Sequence, residues 1–500
     1  MNRSTRSSSH SPRLLQKLTP FLQPLASCSL LVAIAVTGLA CGASDDPLAA
    51  NGGESPGGSG AVAGSPAGGA GSGSAGASAA GGTVGVAGSG VAGSGVAGAP
   101  AATAGSAGSM AGAGNVAGAS GSGSAGMGAG GSGGSGATHW VGTWTASPYA
   151  TASDGQPAAG LANSVLRQIT HASLGGKQIR VQFSNKEGNA PVVISAANVA
   201  LCKATPKVNG SIDITTTRPL AFSGKANVSI PAGTEIWSDA LDFDLPALGN
   251  LTITTAFDSV PSALTSHNGS RTTSYIQTGK DINAANLTTN PTTHWYFISA
   301  VDVMAPVAAK GMVAIGDSIT DGRGVTVDGN DRWTDILAAR LQANPATANV
   351  SLMNQGIGAT TLVGGGTAAE ARFARDVLGQ SGVKYAIIFD GVNDINGSGT
   401  LDGMKAVYAK LVKAGRDQGL LVFGGTITPC ACARDSLRVE LNTYIKSGAF
   451  DGVLDFDAAL KDPQNPSQML AAAGSTDNLH PGPAGYKMMA DAADLALFTK

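Results

Sequence analysis

The residues most able to do chemistry lie far apart in the chain. Gly316-Asp317-Ser318-Ile319-Thr320-Asp321-Gly322 follows an apolar run, Met312–Ile315. A serine hydroxyl is a weak nucleophile and needs a neighbouring base. A strand-end turn that opens a helix exposes such a hydroxyl and points backbone amides at a developing anion. The same heptapeptide also fits an ordinary strand-to-helix turn capped by Asp or Ser. A base is available near the C-terminus, in Asp477-Asn478-Leu479-His480-Pro481. Of the six histidines, His10, His139, His171, His267 and His294 all precede the segment that holds Ser318, so His480 is the imidazole within it. A carboxylate three residues earlier, Asp477, can accept a hydrogen bond from Nδ1–H and leave Nε2 to take the serine proton. Asn393, in Gly391-Val392-Asn393-Asp394, can donate a side-chain amide proton to an oxyanion. Asn354-Gln355-Gly356-Ile357-Gly358 can supply a backbone amide to the same oxygen. Asn and Gly are also common loop residues, so neither segment is specific alone.

Each of these segments needs an element to position it, and the pattern after Ala309 supplies them. Met312–Ile315, Val350–Met353, Tyr385–Phe389, Leu420–Phe423 and Val453–Phe456 read as five buried strands. Helical patterns fall between and after them, near 333–343, 369–379, 402–417, 434–446 and 483–498. Such alternation predicts an α/β fold of three layers, a parallel sheet covered on both faces by helices. Right-handed crossovers then gather the strand-end loops on one side of the sheet, where the chemical residues fall.

Residues 139–306 have a different texture. Runs at 165–172, 178–183, 192–201, 227–230, 235–243 and 251–256 alternate and are broken by turns, which predicts an all-β sandwich or jelly roll. Gly175-Gly176 stands in hairpin position, and Pro231-Ala232-Gly233 marks another turn. Residues 42–138 are almost wholly Gly, Ala, Ser and Val and hold most of the excess among the 72 glycines. They are expected to be a disordered linker, with an r.m.s. reach of about 55 Å. Residues 1–41 read as an export leader: Arg3, Arg6, Arg13 and Lys17 precede the apolar run Leu30–Leu39, which is too short to span a bilayer. Ala40-Cys41 ends that run as in a bacterial lipoprotein signal, which predicts lipidation of Cys41, a membrane anchor, and a periplasmic, cell-surface or secreted location. Gly38 departs from the usual Leu of such signals, and ordinary cleavage nearby is the alternative.

Ser318, the Gly-containing second segment, Asn393 and His480, in this order and each at a strand end, resemble the four blocks of the GDSL/SGNH hydrolases. The resemblance covers about residues 310–500. It implies a Ser318-His480-Asp477 triad and an oxyanion hole built from the Ser318 amide, a block-two amide and the Asn393 side chain. In block two the final Gly of N-x-G-x-x-G falls on Ala359, with Gly358 one place early. Ala359 keeps a donor but is strained if the site needs φ > 0. Trp140-Val141-Gly142-Thr143-Trp144, Leu166–His171 and Arg180–Asn185 are similar to a secreted branch with a β-sandwich before the hydrolase. The resemblance implies a serine esterase that removes short acyl groups, above all acetyl, from a small ester or an acylated polysaccharide. A lipase- or thioesterase-type acylhydrolase and a catalytically weak surface carbohydrate-binding lipoprotein are the alternatives. His171, Trp140, Trp144 and Trp295 fit either a sugar platform or buried core, and Trp333 fits core.

Other classes find little support. The formal net charge is −2 and no basic run lies beyond the leader, so a nucleic-acid partner is not expected. Asp321, Asp328 and Asp331 share a loop but match no metal-ligand spacing, and no metal or cofactor is expected. Gly364-Gly365-Gly366 lacks the Lys-Ser/Thr of a phosphate loop. Cys202, Cys430 and Cys432 form no disulfide framework; Cys430 and Cys432 are either a small ring or two thiols.

Overall fold

The computed structural model describes residues 136–203 and 208–500. The leader with Cys41 and nearly all of the Gly-rich segment lie outside the described residues. Among the described residues no helix is long and apolar enough to cross a membrane.

Five parallel strands form the sheet that carries the chemical segments, in the order Val350–Gly356, Lys310–Gly316, Val383–Phe389, Leu421–Gly425, Gly452–Leu454. The strands read as continuous apolar runs because both faces are covered, and Met312, Val313, Ala314, Ile315, Ile387 and Ile388 are fully buried. Helices Trp333–Ala343 and Leu401–Asp417 match the predicted spans closely. Leu401–Asp417 buries Met404, Val407, Tyr408, Leu411, Val412 and Gly415, a spacing of three and four that makes one apolar face. Three other predictions needed correction. The 369–379 and 434–446 helices each pass into a wider π turn, at Ala374–Leu378 and Ile445–Ala449. The last helix stops at Ala492, before a separate 3-10 turn at Leu495–Phe498. The last strand is also shorter than its apolar run, because Asp455 caps the helix Phe456–Leu460 by accepting from the Ala458 amide.

The preceding residues are β-rich, in three antiparallel sheets. The larger two are built around Ile298–Pro306 between Thr138–Thr145 and Gly176–Asn185, and around Asn250–Ser259 between Ser164–His171 and Val192–Leu201. Val141, Ile179 and Val301 of one sheet share a core with Leu166, Ile194 and Ile253 of the other. The Gly175-Gly176 hairpin is not formed: Ser164–His171 pairs within one sheet and Gly176–Asn185 within the other, so the chain crosses between layers here. Glycine is needed for a different reason, since a Cβ at Gly175 would lie 2.6 Å from the Ala247 amide nitrogen. The single run at 235–243 is two strands, Thr234–Trp237 and Leu241–Leu245, both paired with Gly176–Asn185.

The β-rich part packs on the edge of the parallel sheet. The Leu352 amide donates to Ser173 Oγ at 2.9 Å, and Thr145 Oγ1 donates to the Asn354 carbonyl at 3.1 Å. Residues 136–203 and 208–500 thus fall within one compact unit.

Candidate active site

Ser318 opens a four-residue helix, Ser318–Asp321, directly after the Lys310–Gly316 strand. Asp317 caps it, accepting from the Ile319 amide at 2.9 Å, and Gly322 ends it with φ 98°. As the first helical residue, Ser318 has an amide with no intrahelical acceptor, available to an anion. Its Oγ lies 2.8 Å from His480 Nε2, and His480 Nδ1 lies 2.7 Å from Asp477 Oδ2. The Asp477 carboxylate also accepts from the His480 amide at 2.8 Å and the Leu479 amide at 3.0 Å. Burial pushes the Asp477 carboxyl up, but the bonds from the His480 ring and the two amides outweigh it and hold it at about 2. Asp477 is therefore ionised at neutral pH. His480 moves the other way: burial lowers it below its ordinary value against the pull of Asp477, and the charges of Arg323 and Arg271 lower it further. The imidazole is neutral at pH 7 and can accept a proton.

Blocks two and three meet beside this centre. Asn354 Nδ2 donates to the Thr320 carbonyl at 2.6 Å, and the Ile357 amide donates to the Gly316 carbonyl at 3.0 Å. Asn393, on the helix Val392–Asn396, donates to the Thr360 carbonyl at 2.7 Å. One Nδ2 proton is engaged there and the other is left. Asp394 accepts from the Leu362 and Val363 amides at 2.7 and 3.1 Å, fixing the same loop. Ala359 sits at φ 60°, the left-handed conformation that a glycine at this place would adopt freely. An alanine held there costs about 1 kcal/mol and persists because the surrounding bonds over-determine the loop. The Gly358 and Ala359 amides donate to no other group of the described residues, so both remain as block-two donors.

Beneath the helix, buried Arg372 donates to the carbonyls of Gly316 at 2.8 Å and Gln355 at 2.5 Å, joining two strand ends. Asp317 and Asp390 are fully buried nearby. Burial first, then neighbouring carboxylates, raises both; Asp317 reaches about 7 and Asp390 stands well above its ordinary range.

Three residues outside the expected set also reach the centre. His267, from the β-rich part, bonds Asp321 Oδ1 through Nε2 at 2.8 Å and the Ser147 carbonyl through Nδ1 at 2.9 Å. Arg271 Nη2 lies 3.7 Å from Asp321 Oδ2, and Arg323 follows directly on the Gly322 turn. Burial alone would raise the Asp321 carboxyl, but His267, Arg271 and Arg332 hold it below the ordinary range. These contacts carry no local sequence signal, because His267 and Asp321 are 54 positions apart.

Trp144, Trp295 and Trp333 take the core reading, whereas Trp140 and His171 are half-buried. Trp144 and Trp295 are buried edge to face with centroids 4.9 Å apart, Trp333 is fully buried, and Trp140 covers the Arg180 guanidinium. His171 is held by Asn250 at 2.8 Å. The loop carboxylates have protein partners: Asp328 accepts from the Thr273 amide and hydroxyl, and Asp331 accepts from the Thr326 amide. Cys430 and Cys432 form a disulfide, which resolves the alternative left open by spacing.

Residues 314–488 match the model of the GDSL-like Lipase/Acylhydrolase family. Similar solved structures include a lipolytic protein of the G-D-S-L family from Desulfitobacterium hafniense, with 23% identity over 38% of this chain and 99% of that one and a TM-score of 0.32. They also include an acetylxylan esterase from Geobacillus stearothermophilus (22% identity, 38% and 94% covered, TM-score 0.30). A third is a GDSL-like lipase from Bacteroides thetaiotaomicron (19% identity, 38% and 87% covered, TM-score 0.28). No curated protein matches the chain.

Proposed function

We propose that this chain, whose residues 314–488 match the GDSL-like Lipase/Acylhydrolase family model, is a carboxylic ester hydrolase, a serine esterase acting through an acyl-enzyme on Ser318. The observation that carries the reading is the relay from Ser318 Oγ to His480 Nε2 and from His480 Nδ1 to Asp477. Ser318 attacks the ester carbonyl while His480 takes its proton. The ionised Asp477 fixes the imidazole and stabilises the imidazolium. The tetrahedral oxyanion is held by the Ser318 amide, the free Asn393 amide proton and a block-two amide, from Gly358 or Ala359. His480 then protonates the leaving alcohol. Water, activated by the same imidazole, releases the acid and restores the Ser318 hydroxyl.

The acyl group in this reading is short, with acetyl on a small ester or a polysaccharide as the first candidate. The acetylxylan esterase among the similar structures suggests that candidate but does not carry it. We read the two larger β sheets, whose side chains share one core, as a sandwich, and Cys41 as a lipid anchor on an exported protein. Hydrolysis of p-nitrophenyl acetate and p-nitrophenyl decanoate by the full chain, beside Ser318→Ala, tests the reaction. Acetate turnover that exceeds decanoate turnover and disappears in the variant is the expected result. Turnover that survives Ser318→Ala would remove the serine mechanism, and a preference for decanoate would remove the short-acyl reading.

A further inference from the structure

We propose that Arg271 and Arg323 form an anion subsite at the mouth of the Ser318–His480 centre, which selects esters whose alcohol moiety carries a carboxylate. The inference rests on the reading of Ser318 and His480 as the attacking pair.

The two guanidinium groups arrive from different parts of the chain. Arg323 directly follows the nucleophile helix: its amide donates to the Ser318 carbonyl at 2.9 Å, and its own carbonyl accepts from Tyr486 Oη at 2.6 Å. Its backbone is therefore fixed between the nucleophile and the last helix, while its side chain is exposed and makes no hydrogen bond or ion pair among the described residues. The next residue lies over the base. A Cβ at Gly324 would stand 2.5 Å from the Pro481 carbonyl oxygen and 3.8 Å from His480 Cβ, so only a glycine lets the loop lie this close. Arg271 comes from the β-rich part, on a backbone at φ 48°. Its carbonyl accepts from the Asp328 amide at 2.9 Å, and its Nε is buried without a partner. Its side chain keeps 27% exposure, so the guanidinium reaches water at one edge.

Charge counting leaves this pair under-compensated. Arg332 is matched by Asp335 at 3.3 Å. Asp321 faces both His267 at 2.8 Å and Arg271 at 3.7 Å, so one carboxylate serves a close imidazole and a distant guanidinium. Asp328 and Asp331 are bonded to Thr273 and Thr326 and make no ion pair with any guanidinium of the described residues. Among the described residues Arg323 has no counter-charge within ion-pair distance. Both arginines raise the potential felt by His480, which is consistent with its lowered basicity.

Geometry decides which half of the ester they meet. His480 returns its proton to the leaving oxygen, so groups around His480 line the alcohol side of the scissile bond, whereas Asn393 and block two line the carbonyl oxygen. A carboxylate on the alcohol can accept from a guanidinium fork, a strong and directional bond.

The test compares acetate release from 4-acetoxybenzoate and from its methyl ester, which share the acetyl group and the phenyl ring and whose leaving phenols differ in charge. For the full chain, the kcat/KM ratio of anionic to neutral ester is expected to fall about tenfold in Arg323→Gln, the scale of one charged hydrogen bond, and further in Arg271→Gln/Arg323→Gln. Added salt should lower the same ratio in the wild type and much less in the double variant. Arg323 is exposed and unbonded, so its single variant keeps the test available if the Arg271 change impairs folding. Turnover of both esters with a ratio that neither substitution moves would overturn the subsite and leave the esterase standing. Turnover of neither would overturn both.

Discussion

The contact between the β-rich part and the nucleophile helix makes Gly269→Ala the sharpest single perturbation. A Cβ at Gly269 would lie 2.5 Å or closer to both carboxylate oxygens of Asp321. Asp321 cannot swing aside freely, because His267 holds it in a bond with both side chains only 5% exposed. Either the 267–271 loop or the carboxylate must retreat by about 1 Å in a close-packed junction. If the loop yields, overpacking costs about 1–3 kcal/mol. If the carboxylate yields, the charged hydrogen bond to His267 is lost, at about 1.5–3 kcal/mol. We expect a loss of about 2–3 kcal/mol, read as a lower urea midpoint at constant slope. Asp321 is the last residue of the helix that Ser318 begins, so a shift of that size should also cost on the order of 100-fold in kcat. Gly365→Ala is the control, since a Cβ there meets nothing within 4 Å and its φ is not left-handed. A Gly269→Ala protein that unfolds with the wild type and keeps its kcat would refute the argument that this loop fixes the nucleophile.

Asn393→Ala is expected to lower kcat by about 100- to 1,000-fold, because one oxyanion donor is removed; a fall in kcat/KM caused by KM alone would place Asn393 outside the oxyanion hole. The pH profile has a definite sign. His480 works as a base only when neutral, and burial lowers it, so activity should fall with acid at a midpoint below the ordinary 6.5. Asp477, held at about 2, stays ionised across that limb. A midpoint above 6.5 on a neutral ester would mean that Asp477 outweighs burial.

The parallel sheet and the Ser-His-Asp set were legible because their signals are local. An apolar run such as Met312–Ile315 must be covered on both faces, and a D-x-x-H spacing lets one turn bring Asp477 to His480. Ala359 was legible as a strain, since the expected glycine was missing where a left-handed residue now stands. What escaped depends on pairing between distant segments. Gly175-Gly176 has hairpin composition, yet the strands on either side join different sheets. His267 has no motif around it, and its role exists only because the β-rich part closes against Asp321. Arg323 is adjacent to the chemical heptapeptide but looks like any exposed loop arginine until its unpaired state is known.

The seam along the Val350–Gly356 strand has a consequence for how this chain can be inherited. Met353 would meet any Cβ placed at Gly142, Leu352 bonds Ser173, and His267 locks Asp321. A recombination breakpoint near residue 306 would separate partners on both sides of that seam. It would leave one fragment with an unshielded sheet edge and the other with an imidazole facing no acid. The two segments must therefore be exchanged together, and lineages that shuffle modules should carry residues 138–500 as one block.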